Sequence, residues 1–148
     1  MNTEEKKIYK GLVVNDYEGT PYVQWIKEGK KTIETRMNRL FSYRGDVIIC
    51  CGKTNSVGEN KGKAICIVEV YKGGDMQPEH EKASCIEYHK DRKVLLLRNW
   101  RYLSEDFEFS KYAIQKNFQG MFDMIIPEGI KVIPQPQIKC YEHRTKRV

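Results

Sequence analysis

The chain has 148 residues, a formal net charge of +6 and a pI near 9.0, with 40% hydrophobic and 31% charged residues. This composition excludes a disordered chain, and the excess of basic residues favours a polyanionic partner such as RNA or DNA. The length predicts a single domain over 1–148, with a core over about 8–133 and an extended basic tail over 134–148.

The sequence also indicates a cellular compartment. The N-terminus lacks the apolar segment of a signal peptide, and no apolar run reaches the roughly 18 residues that a membrane span needs. The five cysteines are odd in number and lie mostly within apolar runs, as buried free thiols in a reducing cytosol do. We therefore expect a cytoplasmic protein with no membrane partner.

The first elements in chain order are a strand and a short amphipathic helix. Residues 8–14 are rich in β-branched and aromatic side chains and predict the strand. In the next segment Thr20 is a suitable N-cap, and Gly29 suits the left-handed residue that ends a helix. The residues predicted to share one face of this helix are Tyr22, Trp25 and Ile26.

The stretch 29–36 follows the helix and combines cations, a carboxylate and hydroxyl residues. An extended segment over 32–37 would place Glu34 and Arg36 on one face and Lys31 on the other. Lys31 is interpreted as a phosphate-binding cation or as a lysine whose pKa is lowered by burial. Glu34 and Arg36 form either a structural ion pair or a pair that fixes Lys31 or reads a base edge.

Later segments complete a sheet-rich pattern. The continuous apolar run 47–51 is typical of a strand buried on both faces, and residues 63–71 predict its neighbour. Between them a glycine-rich basic loop presents Lys53. A helix over 78–90 and a strand over 94–103 follow. Five to seven strands with one or two inserted helices indicate an α+β domain, and a small closed or half-closed barrel would protect the strand edges.

The stretch after the helix has the pattern Gly-x-Lys-x-x-Glu-x-Arg, with Gly29, Lys31, Glu34 and Arg36 at its fixed positions. It matches the signature of the ASCH domain family, which the chain resembles over about residues 8–133. Further segments that carry the resemblance are 43–46, 62–65, 97–103, 117–122 and 130–133. The resemblance implies a PUA-like β-barrel with a cleft beside the first helix, in a superfamily whose other branches bind RNA or modified bases.

The resemblance also implies a possible activity. Some small bacterial members are amidohydrolases that act on N4-acylated cytidine, with a Lys, a Thr three residues later and a Glu from a following strand as catalytic residues. Lys31 matches the Lys, Glu34 stands where the Thr would be, and Glu69 is the candidate for the Glu. The departure at Glu34 replaces the hydroxyl group by a second carboxylate.

Glu69 lies between two valines in a strand with a buried pattern. An unpaired carboxylate would be costly there, so Glu69 either points outward or has a partner. If Lys31 is that partner, the two side chains form a candidate acid/base pair.

Further residues extend the predicted binding surface. The predicted basic cleft consists of Lys31, Glu34, Arg36, Arg39, Arg44 and Lys53. Trp100, next to Asn99 and two arginines, is a candidate for stacking on a base. Trp25 is interpreted as a core residue, because it lies on the apolar face of the helix.

The leading hypothesis is that a basic cleft binds RNA or a modified nucleoside. The first alternative is an amide hydrolase acting on an N4-acylated cytidine, and the second is a protein-interaction module of a larger RNA-related assembly. No cysteine or histidine spacing predicts a metal site, and no cofactor is expected. The oligomeric state stays open.

Overall fold

The computed structural model describes residues 6–145, which form a sheet-dominated α+β domain. The strands are β1 (Tyr9–Val14), β2 (Asp16–Tyr17), β3 (Thr20–Pro21), β4 (Ile33–Met37), β5 (Gly45–Cys51), β6 (Lys63–Asp75), β7 (Arg92–Glu108), β8 (Phe122–Met124) and β9 (Val132–Pro134). The α-helices are α1 (Tyr22–Glu28), α2 (Glu81–Ser84) and α3 (Tyr141–Thr145), and Pro78–His80 and Phe109–Lys111 are 3₁₀ turns. The predicted α+β class is confirmed.

Seven strands form the main sheet, in the order β4-β7-β6-β5-β1-β8, with β9 paired to residues 101–103 of β7. β1 and β5 are parallel, and the other pairs are antiparallel. Over residues 6–145 no pairing joins the edge strands β4 and β8, so the strands do not close into a ring. The chain beyond β7 curls back onto β8 through a bridge between Ala113 and Met124.

The hydrophobic core lies on both faces of the sheet. On β5, Val47 and Ile49 belong to the cluster that α1 covers, while Ile48 and Cys50 pack with Phe122 on the other face. All five side chains are fully buried. This confirms the burial of β5 on both faces that its continuous apolar run predicts.

The start of α1 differs from its prediction. Thr20–Pro21 forms β3, and no side chain at the helix N-cap position caps the helix. Asp16 does so from β2, because its Oδ1 accepts hydrogen bonds from the amides of Val23 at 2.7 Å and Gln24 at 3.3 Å. The hairpin of β2 and β3 brings this carboxylate to the helix, which sequence spacing did not indicate. At the other end Gly29 has a φ of 80°, as predicted.

The helix predicted over 78–90 is much shorter. One 3₁₀ turn and the four residues of α2 are helical, and Cys85 then takes a φ of 60°. A non-glycine residue in this left-handed conformation ends the helix. The next residues form a loop into β7, which begins at Arg92.

The tail predicted over 134–148 is not simply extended. Cys140 is buried in the main core, and α3 follows it with a turn of helix. Ile138 packs against Gly29, where an added Cβ would lie 2.6 Å from Ile138 Cγ2. The tail therefore packs onto the end of α1. Lys146 and Arg147 of the predicted tail lie outside the described residues.

Two further findings concern predicted classes of site. Between residues 6 and 145 no helix is long and apolar enough to cross a membrane. In the same part of the chain, no three side chains of histidine, cysteine, aspartate or glutamate group in a way that could hold a metal ion. All five cysteines are free thiols, and four of them are buried.

Candidate functional site

The end of α1 directs the chain into the predicted site. The amides of Lys30 and Lys31 both donate to the carbonyl of Trp25, at 2.9 and 3.0 Å. The carbonyl of Trp25 thus accepts two hydrogen bonds, at the point where the left-handed Gly29 reverses the chain. Lys30 remains exposed after the turn, whereas Lys31 enters the interior.

Lys31 is completely buried, with 0% of its side chain exposed. Its Nζ donates a hydrogen bond to the carbonyl of Ser84 at the end of α2 and lies 3.6 Å from Glu34 Oε1. Burial lowers the pKa of Lys31, and the Glu34 carboxylate opposes this shift with a smaller effect. A buried lysine with a lowered pKa is a marker of functional sites, although structural ion networks also produce it.

Glu34 and Arg36 complete what we call the charged cluster (Lys31, Glu34 and Arg36). The Glu34 side chain is 6% exposed, and its Oε2 lies 3.2 Å from Arg36 Nη2. The same Nη2 donates to the carbonyl of Val13 at 2.5 Å. The cluster therefore links the end of β1 to β4, and its one carboxylate is held between two cations.

Three aromatic rings lie side by side next to the charged cluster. Tyr22 contacts Tyr17 and Trp25 edge-on, with ring centroids 6.2 and 5.8 Å apart. Tyr17 is exposed, whereas Tyr22 and Trp25 are half-buried and Tyr22 packs against the main core. Lys31 Nζ lies 5.0 Å from the centre of the Tyr22 ring, and Lys30 Nζ lies 4.0 Å from that of Trp25. We call these rings the aromatic row (Tyr17, Tyr22 and Trp25).

A polar network fixes the loop that leads into the aromatic row. Asp16 is 5% exposed, and its Oδ2 accepts a hydrogen bond from Asn60 Nδ2 at 3.0 Å. Its amide donates to Ser56 Oγ at 3.1 Å, and Ser56 Oγ donates to Asn15 Oδ1 at 3.0 Å. These hydrogen bonds connect the loop over 52–62 to the start of α1 and so fix the backbone beside the aromatic row.

The other predicted cations lie outside the charged cluster. The Arg39 guanidinium lies 4.7 Å from the centre of the Phe41 ring, and Arg44 Nη1 donates to the Phe41 carbonyl at 2.9 Å. Lys53 Nζ lies 3.4 Å from Glu108 Oε2, beside the start of β6. None of these three contacts involves a member of the charged cluster.

Glu69 does not meet Lys31. Both of its carboxylate oxygens accept hydrogen bonds elsewhere, from Arg98 Nη2 at 2.9 Å and from Asn99 Nδ2. The hydrogen bond from Arg98 lowers the pKa of Glu69, and that from Asn99 acts in the same direction. The valines on either side of Glu69 face the core beneath α1, so strand alternation turns Glu69 away from it. The predicted acid/base pair is therefore not formed, and Asn99 holds this carboxylate.

The two tryptophans exchange their predicted roles. Trp100 is 2% exposed and belongs to the core, where its Nε1 donates to the Ile26 carbonyl at 2.6 Å. Trp25 is the partly exposed ring. The cause is an irregularity in β7, where two residues stand opposite one residue of β6 and Asn99 takes a φ of 55°. Such a bulge shifts the alternation and turns the Trp100 side chain into the core.

Sequence reasoning missed several residues of the site. Ser84 and Asp16 act through contacts that are distant in sequence, and neither position gave a signal. Tyr22 and Trp25 gave one, because they occur three residues apart on a helix whose aliphatic residues suffice for the buried face. Tyr17 follows Asp16 in the β2–β3 hairpin, and only the fold places it beside Tyr22.

These features define a basic, sheet-dominated α+β domain in which a buried Lys-Glu pair and a partly exposed Arg lie at the junction of the first helix and β4. The family model of the ASCH domain matches residues 19–118, about two thirds of the chain. The chain therefore belongs to the ASCH domain family, which confirms the resemblance seen in the sequence. Among curated proteins, none matches the chain.

Proposed function

We propose that this ASCH domain binds single-stranded RNA or a modified nucleoside and stacks bases on the aromatic row. The observation that carries the proposal is a row of three aromatic rings at the surface, one exposed and two half-buried, with Lys30 over Trp25 and the buried Lys31 over Tyr22. Aromatic side chains with nearby cations are the usual means by which proteins bind unpaired bases, and each stacked base contributes about 1–3 kcal/mol.

The charge distribution supports a nucleic-acid ligand. The chain carries a formal charge of +6, and the charged cluster contains two cations and one carboxylate. Because Glu34 is buried between Lys31 and Arg36, it presents little negative charge to a phosphate. The exposed Lys30 beside Trp25 adds a cation at the end of the aromatic row.

We assign the curled sheet to the PUA-like architecture, with the bridge between Ala113 and Met124 as the contact that half-closes it. In such an architecture the ligand would lie beside α1, where the charged cluster and the aromatic row meet. We also propose a cytoplasmic location, which the free cysteine thiols support, since a reducing compartment preserves them.

An amide hydrolase is the second candidate, and one observation favours it. Burial lowers the pKa of Lys31, which is the shift that a lysine needs to act as a base near neutral pH. Since Glu69 is turned away, Glu34 would be the carboxylate that holds or activates water. The test is release of acetate from N4-acetylcytidine by the wild-type protein. The activity would be established if release is abolished in the Lys31→Met and Glu34→Gln variants, both shown by circular dichroism to be folded.

The test of RNA binding uses two matched tyrosines. Tyr17 is 45% exposed in the aromatic row, and Tyr88 is 38% exposed outside it. We expect fluorescence anisotropy with a short labelled single-stranded RNA to show binding that weakens as salt rises. Tyr17→Ala should weaken binding about 5- to 150-fold, while Tyr88→Ala should leave it unchanged.

Two results would contradict the proposal. One is the absence of RNA and nucleoside binding by the wild-type protein even at low salt. The other is an equal effect of the two tyrosine substitutions, since a site on the aromatic row requires Tyr17 alone to matter.

A further inference from the structure

A large cavity lies between the end of α1, α2 and the C-terminal segment. Its volume is about 950 Å³, which falls within the usual range of small-molecule sites, roughly 300–1,000 Å³. The charged residues of its wall are Lys30, Glu79, Lys82, Lys139 and Arg144. We call it the basic cavity, because four cations face a single carboxylate.

The cations of the basic cavity lie outside the ion pairs formed among the described residues. Over residues 6–145, no ion pair involves Lys30, Lys82, Lys139 or Arg144. Arg144 donates instead to the neutral carbonyl of Gly29 at 2.8 Å. Elsewhere in the described part of the chain eight lysines pair with carboxylates, and these are Lys7, Lys10, Lys31, Lys53, Lys63, Lys72, Lys93 and Lys111. The wall of the cavity therefore concentrates positive charge, which attracts an anion.

The cavity also has room for an organic group. Ala83 and Tyr141 contribute apolar surface to its wall, and the Tyr141 ring is held by an edge-on contact with His80 at 5.5 Å. A ligand that fills this space needs both an anionic group and a flat or apolar body. A phosphorylated nucleoside has both, and lysines are effective phosphate binders through their point charges.

Lys30 connects the basic cavity to the aromatic row, whose rings do not themselves line the cavity. Lys30 lines the cavity, and its Nζ lies 4.0 Å from the centre of the Trp25 ring. A phosphate in the cavity would therefore lie close to a base that stacks on Trp25. The family match ends at residue 118, while the cavity requires Lys139, Tyr141 and Arg144. The C-terminal segment thus supplies half of the cationic wall from outside the matched domain.

We propose that the basic cavity binds the phosphate group of a nucleotide whose base stacks on the aromatic row, either as a free nucleotide or within RNA. This inference rests on the proposed function for the position of the base. It adds a phosphate site built by Lys30, Lys82, Lys139 and Arg144.

The experiment compares two double variants of equal charge in the full chain. Lys82→Ala/Lys139→Ala removes two exposed cations from the cavity, and Lys90→Ala/Lys131→Ala removes two exposed lysines outside it. The probes are adenosine, adenosine 5′-monophosphate and a short single-stranded RNA, with binding measured by calorimetry and anisotropy. All four substitutions are on the surface, so both variants should retain the wild-type melting temperature.

The expected results separate the two sources of phosphate. The wild-type protein should bind the monophosphate at least about 10-fold more tightly than adenosine if the ligand is a free nucleotide, and the cavity variant should abolish that preference. If the phosphate belongs to RNA, the cavity variant should weaken RNA binding at least about 10-fold. It should also make the dependence of log K on log salt shallower by about 1.4, as expected for two lost phosphate contacts. The control variant should stay within about 2-fold of wild type.

The contrary outcomes are distinct. Equal weakening by the cavity and control variants would mean a general charge effect and would overturn the phosphate site. RNA binding that is unchanged in the cavity variant, together with no preference for the monophosphate, would also overturn it while leaving the proposed function intact. Failure of the wild-type protein to bind RNA or adenosine, with the monophosphate still bound in the cavity, would overturn the proposed function and support the site alone.

Discussion

Removal of either charge from the buried Lys31–Glu34 pair should have unequal effects on stability. Lys31 is 0% exposed, and among the described residues its one carboxylate neighbour is Glu34 at 3.6 Å. Glu34 is 6% exposed and keeps a second cation, Arg36, at 3.2 Å. Glu34→Gln therefore leaves a buried ammonium group without a counter-charge, whereas Lys31→Met leaves a carboxylate that is still paired.

The magnitudes follow from this asymmetry. Breaking a buried ion pair by removing one partner typically costs about 3–5 kcal/mol, which we expect for Glu34→Gln. For a domain of this size the corresponding fall in melting temperature is about 6–20 °C. Lys31→Met should cost about 1–2 kcal/mol. The double variant should cost less than the sum of the two, because the unpaired ammonium group is then absent.

The pH dependence provides a second measure of the same pair. Burial lowers the pKa of Lys31, so between that lowered pKa and its ordinary value near 10.4 the unfolded chain binds more protons than the folded protein. Stability then rises with pH across this range. In Glu34→Gln the opposing effect of the carboxylate is lost, so the deficit of the variant relative to wild type should shrink from pH 7 towards pH 10.

The assay is guanidinium unfolding followed by circular dichroism at several pH values, with Asp106→Asn as the control. Asp106 forms an ion pair with Lys63, and the Asp106 side chain is 61% exposed. Loss of this exposed pair should cost less than about 1 kcal/mol of stability. A cost for Glu34→Gln that equals this control, or that is smaller than the cost of Lys31→Met, would refute the reasoning.

Three further predictions concern stability. Trp100→Phe should destabilise by about 1–3 kcal/mol, because it removes the indole donor from a buried helix carbonyl. Asp16→Ala should cost about 1–2 kcal/mol, because α1 loses the carboxylate that accepts from its first amides. The hydrogen bond from Arg101 lowers the pKa of Asp46 in the folded protein. The Asp46 carboxylate therefore stabilises the fold above its unfolded pKa near 3.9, and this stabilisation is lost as pH falls below about 4. Asp46→Asn should therefore flatten the acid limb of the stability curve.

Denaturant unfolding of each variant checks these three expectations. Wild-type stability in Trp100→Phe would contradict a buried indole hydrogen bond. For Asp16, full stability of the alanine variant would mean that water satisfies the helix amides equally well. An acid limb in Asp46→Asn as steep as that of wild type would show that other carboxylates dominate the loss of stability.

Local patterns in the sequence predicted those parts of the fold that depend on neighbouring residues. The continuous apolar run of β5, the extended backbone of β4 and the glycine that ends α1 each follow from backbone geometry within a few residues. The family signature likewise lies within one short stretch. The pairing of Glu34 with Arg36 on one face agrees with the alternation predicted for an extended strand, but Lys31, expected on the opposite face, precedes β4 and lies 3.6 Å from Glu34.

Contacts between distant segments were not predictable in the same way. A bulge at Asn99 reverses the alternation of β7 and so buries Trp100. The orientation of Glu69 depends on which face of β6 the helix covers, a fact of tertiary packing. Single-residue shifts of this kind leave no mark in the composition of a strand, although they move each side chain to the opposite face.

The sequence by itself determined an α+β class, membership of a family and a stretch where Lys31, Glu34 and Arg36 lie close together, because periodicity and motif spacing are local properties. Only the tertiary structure decided that Lys31 is fully buried, that Glu69 is not its partner and that cations of the C-terminal segment join Lys30 around one cavity. These outcomes depend on how distant strands and helices pack, since burial and pairing are set by neighbours that the chain order does not reveal.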